Sequence, residues 1–105
     1  MTRASIHSWL AERQPEPPAD LAAKLAECVD AAPEAVLAGD SIAEVIGSLG
    51  TWLLQSVVEH PKSSYDAAME LLAADAFVTY AFEAASEEGS DVRGLATQLL
   101  TRVRA

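Results

Sequence analysis

The stretch SYDAAMELLAADAFVTYAFEAASEE, residues 64–88, decides the fold. It contains neither Gly nor Pro, is rich in Ala, Leu and Glu, and repeats its apolar residues at helical spacing. Tyr65, Met69, Leu72, Ala76 and Tyr80 fall on one face, Leu71, Val78 and Phe82 on another, and Phe77 on a third. A helix that is apolar almost all the way round is expected at the centre of a bundle. Ser63-x-x-Asp66 supplies a capping signal at its start, Gly89 ends it, and Pro61-Lys62-Ser63 ahead of it reads as a turn.

Immediately upstream, residues 41–60 predict a second long helix. Ser41-x-x-Glu44 is a capping box, and Ile42, Val45, Ile46, Leu49, Leu53 and Val57 share a broad face. Ala43, Gly47, Gly50 and Leu54 form a second, narrower stripe. Each glycine costs up to about 1 kcal/mol relative to Ala inside a helix, so the pair points to another helix approaching the backbone closely. A short turn between two long helices makes them antiparallel neighbours.

The remaining elements are shorter. Residues 4–13 place Ile6, Trp9, Leu10 and Arg13 on one stripe, and Pro15-Glu16-Pro17-Pro18 within 14–19 forms a stiff connector. Residues 20–31 put Leu21, Leu25, Cys28 and Val29 on one face, with Cys28 expected in packing. A short helix follows at 33–38. The last helix is expected at 91–104, capped by Ser90-Asp91, with Val92, Leu95, Leu99 and Val103 in register and Arg93, Arg102 and Arg104 as its charges. The fold class is therefore all-α: one domain, a compact bundle of four to five helices built on two long central antiparallel ones.

With 105 residues, half of them hydrophobic, the chain can build a core but buries only part of its apolar surface alone, which favours self-association. Seven basic residues against 16 acidic ones leave a net charge of −9. Such a surface repels phosphate backbones and anionic lipid, so neither nucleic acid nor membrane is an expected partner. No run reaches the roughly 18–20 apolar residues of a membrane span. Met1-Thr2-Arg3-Ala4-Ser5 does not lead into a signal-peptide apolar stretch, and the single Cys28 cannot form an internal disulfide. A cytoplasmic setting is expected.

Catalytic motifs are absent from the sequence: no G-x-S-x-G, no glycine-rich phosphate loop, no H-E-x-x-H and no paired Glu-x-x-His. His7 and His60 fall near the ends of different helices. No catalytic residue, metal site or cofactor is expected. Asp66 reads as a capping residue and Glu70 as solvated helix surface. Asp75 stands out because it interrupts the most apolar helix, with Thr79 and Glu83 one and two turns on. A carboxylate there is exposed, paired with Arg93 or an arginine of the last helix, or functional.

The segment from Tyr65 to Glu83 resembles a helix of the all-α polyprenyl diphosphate synthases, in which a similar helix follows the first aspartate-rich motif. The likeness spans about a fifth of the chain. The family's D-D-x-x-D motifs are missing here, so the resemblance implies a packed helix and brings no site or activity with it.

These features predict a homo-oligomer, a dimer first, that also offers a surface to other proteins. Gly47, Gly50, Trp52 and Val78 are the expected interface residues. The alternative is a small-molecule-binding bundle or minor enzyme, with a pocket between helices reached by Asp75, Thr79 and Tyr80.

Overall fold

Two serine-capped starts set the long helices in place. The Ser41 hydroxyl accepts the Glu44 amide at 3.2 Å and opens α3 (Ile42–Glu59), while Ser63 does the same for Asp66 and opens α4 (Ser64–Glu87). The Glu44 carboxylate reaches back to the Asp40 amide at 3.0 Å, one residue beyond the usual capping box. The computed structural model describes residues 2–60, 63–89 and 92–104, apart from the side chains of Val92 and Arg104. The expected stop at Pro61, the turn through Lys62 and the Ser90-Asp91 cap lie outside the described residues, as does the Arg104 side chain.

The fold is an all-α bundle, with no strand among the described residues. α1 (Arg3–Ala11) and α2 (Ala19–Ala31) come first, then a 3-10 turn at Glu34–Leu37, then α3, α4 and α5 (Val92–Arg104). Contact between α3 and α4 dominates the packing. The two run antiparallel: the amide of Ala43 at the start of α3 donates to Glu88 just past the end of α4, while Gly50 farther along meets Ala74, Phe77 and Val78.

The seam between them differs from the large-residue faces the sequence suggested for α4. The buried residues of α4 are Glu70, Ala73, Ala74, Phe77, Ala81, Ala84 and Ala85, alanines around a single phenylalanine, with Ala74 and Phe77 against Gly50 of α3. Against it, α3 buries Val45, Ile46, Leu49 and Leu53. Small residues on α4 let large ones on α3 fill the space, which leaves Tyr65, Leu71 and Leu72 of α4 facing outward. Cys28 lies in the core with Leu25 and Val29.

The glycines of α3 explain how two helices fit closely against it. A methyl group at Gly47 would stand 2.8 Å from Leu99 Cδ2 of α5, and one at Gly50 would stand 3.0 Å from Val78 Cγ2 of α4. Each glycine is a seat for a different neighbour within the same chain, so the contacts expected of Gly47 and Gly50 with another molecule are taken up by α5 and α4.

α1 ends two residues before the expected boundary. Arg13 leaves the helix, its amide bonding Leu10 O, and its Nε turns back to donate to Trp9 O at 3.1 Å. Its guanidinium lies 3.6 Å from the Trp9 ring centroid and donates to Glu83 at 2.7 Å and Glu87 at 2.9 Å on α4.

Candidate interaction surface

A groove of about 500 Å³ lies between α4 and α5. Gly50 and buried Thr51 of α3 form its floor, with Leu54 at the edge. Leu71, Val78 and Phe82 of α4 make one wall; Ala96, Leu99, Leu100 and Val103 of α5 make the other. The helical repeat explains both walls. Leu71, Asp75, Val78 and Phe82 are spaced four, three and four apart on α4; Ala96, Leu100 and Val103 are spaced four and three apart on α5. Because α4's alanine stripe is turned to α3, this second stripe is left partly uncovered.

Among the described residues, Asp75 is the only ionisable one lining the groove. It is exposed, so its charge stays solvated at the rim rather than in the core. Of the three alternatives for Asp75, the exposed position is the one observed, while Arg102 of α5 donates to the Ser48 hydroxyl of α3. Leu71, Leu100 and Val103 keep 47, 54 and 47% of their surface in water. The apolar face continues past Leu54 and Val103 to Val58 near the end of α3.

The three residues expected to share a ligand site do not converge. Thr79 is exposed and does not line the groove. Tyr80 lies five positions after Asp75, a rotation of about 140° round the helix. It packs edge-on against Trp9, with ring centroids 6.1 Å apart. Burial first, and then the charge of Glu83, raises the Tyr80 phenol above its ordinary range, against an opposing pull from Arg13.

Among the expected interface residues, Val78 is half-buried in the groove wall. Trp52 is half-buried in a separate, shallower depression with Val36, Gln55 and Arg102.

The Arg13 cluster is the feature the sequence reading missed. Arg13 retains only 6% exposure. Burial opposes its charge, but the hydrogen bond and charge of Glu87, then of Glu83, outweigh that and raise its pKa. Its place on the apolar stripe of Ile6, Trp9 and Leu10 was the available signal, because an arginine there needs an acid from elsewhere in the fold. Glu70 corrects a second expectation. It is 2% exposed rather than solvated, with Lys24 Nζ 3.9 Å from Oε1.

His7 Nε2 lies 2.8 Å from Asp30 at the surface. Among the described residues no three His, Cys, Asp or Glu side chains come together as metal ligands, and no helix is long and apolar enough to cross a membrane.

The fold and surface thus define a small all-α bundle with an open apolar groove between α4 and α5. No family model matches the chain, nor does any curated protein or solved structure. The likeness of α4 to a polyprenyl diphosphate synthase helix therefore remains local to that segment.

Proposed function

We propose that the chain is a self-associating helical interaction module, a homodimer that uses the α4–α5 groove as its contact face and works in the cytoplasm. One observation carries this reading: a continuous apolar surface, from Leu71 and Val78 across to Leu100 and Val103, stays in water although the chain has a well-packed core elsewhere. Burying such surface is favourable by about 25 cal/mol per Å², and a second copy supplies matching surface without a further partner. Charge supports the same face. Copies that each carry −9 repel in general, and among the described residues the groove has a single carboxylate in its lining. The cytoplasmic setting rests on the lone cysteine in the sequence.

Light scattering on a sizing column, at low and high salt, tests the proposal. The expected result is a dimer at both salts, converted to a folded monomer by Leu100→Glu. A wild-type chain that stays monomeric at high concentration would overturn it. In that case a small apolar ligand becomes the reading, since the groove's volume is within the range of about 300–1,000 Å³ typical of ligand sites. Asp75→Asn would then alter ligand affinity with little change in stability.

A further inference from the structure

The depression at Trp52 lies on the other flank of α5 from the groove. Arg102 follows Leu100 by two residues, a rotation of about 200° round the helix. It therefore faces away from the groove and lines the depression with Val36 of the 3-10 turn and Ser48, Trp52 and Gln55 of α3. Its surroundings set it apart in an acidic chain. Arg3, His7, Arg13 and Lys24 each have a carboxylate at 2.7 to 3.5 Å. Arg102 has none among the described residues and is held by a neutral hydroxyl, that of Ser48. A guanidinium only donates, so Ser48 Oγ accepts, and its own proton has no acceptor among the described residues. Gln55 Nε2 donates to Arg102 O at 3.3 Å and ties the last turn of α5 to α3. A charged donor and a hydroxyl donor thus sit side by side, both half-buried, in a depression lined by a half-buried indole.

We propose that this depression binds a small monocarboxylate with an apolar body, an aryl or branched-alkyl acid. One carboxylate oxygen takes the Arg102 guanidinium and the other the Ser48 proton, while the apolar body lies on Trp52 and Val36. The volume, about 400 Å³, is that of a small-ligand site. Charge decides which anion fits. The chain's −9 repels polyanions such as nucleotides and acidic peptides, whereas a single carboxylate loses little to that field and gains a charge-assisted bond at Arg102. None of these lining residues belongs to the α4–α5 groove, so the site is independent of self-association.

Titration of isotope-labelled protein with phenylacetate, and with its neutral analogue phenylacetamide, tests the proposal by nuclear magnetic resonance. The indole N–H signals of Trp9 and Trp52 report on separate regions, and the chain has no other tryptophan. Phenylacetate is expected to shift the Trp52 signal saturably, with a dissociation constant of about 1 mM or tighter, and to leave Trp9 in place. Phenylacetamide is expected to bind about tenfold more weakly, since it loses the hydrogen bond to a charged group. Arg102→Gln is expected to lose about the same factor, and Ser48→Ala, which keeps the charge, about threefold. A Trp52 signal that does not saturate, a shift confined to Trp9, or acid and amide that bind alike would overturn the proposal without recourse to any variant. Unchanged affinity in a folded Arg102→Gln variant would overturn it as well.

Discussion

The two terminal helices are attached to the α3–α4 pair by opposite means. α1 is fixed by Arg13, whose guanidinium stacks on Trp9 and holds two carboxylates of α4 at hydrogen-bond distance. α5 is seated by Leu95 and Leu99, which enter the core beside Gly47, and by the bond from Arg102 to Ser48. The first attachment is directional: it fixes distance and angle, and Trp9 covers the apolar surface around it. The second is mostly apolar and fixes only depth. α5 sits with one stripe buried and the next stripe, Leu100 and Val103, still in water. Directional contacts have closed one end of the bundle, whereas the apolar contacts at the other leave it open to further association.

The largest expected effect separating the two attachments is Leu99→Ala, at about 3 kcal/mol of stability, since it removes a buried leucine above a glycine that cannot fill the space. Chemical denaturation measures it. A loss under about 1 kcal/mol would mean that α5 contributes little to the fold. Arg13→Ala is expected to cost about 2 kcal/mol, less than the ~3–5 for breaking a fully buried pair, because Glu83 and Glu87 retain access to water. A greater loss from Arg13→Ala than from Leu99→Ala would invert the comparison and make the polar clamp the stronger attachment.

The smallest effect concerns alkaline pH. The Tyr80 phenol is raised above its ordinary value, so the unfolded chain gives up that proton first. The contribution is complete below the ordinary tyrosine pKa of about 10 and is lost as pH rises through the folded value. Stability is expected to fall in that window, and Tyr80→Phe to flatten the fall; an unchanged profile would remove Tyr80 from the α1 attachment.

The order of the helices and the face of α3 were legible because large apolar residues at helical spacing give a strong signal, and Ser41 and Ser63 mark the starts. The face of α4 was not. Weighting residues by size selects Tyr65, Leu72 and Tyr80, yet it is the alanines that pack, because α3 already presents the bulk. The close approaches at Gly47 and Gly50 could be inferred from their cost in a helix, but not which helix fills them. Asp75 was singled out for its position and does line the groove. Its grouping with Tyr80 failed on helical angle, since five residues carry a side chain to another face. The partners of Arg13 lie 70 and 74 residues away, beyond any local pattern. Glu70 was taken for surface because a glutamate usually is.

The alanine seam also has a thermal consequence. On the α4 side each alanine removes little hydrocarbon from water, so on unfolding α4 hydrates less new apolar surface per residue than α3 does with its Val45, Ile46, Leu49 and Leu53. Heat capacity on unfolding follows that surface, near 12–15 cal/mol/K per residue in ordinary domains. A value at or below the lower end is expected here. Stability would then vary slowly with temperature, with a broad maximum and a gradual decline on both the cold and the warm side.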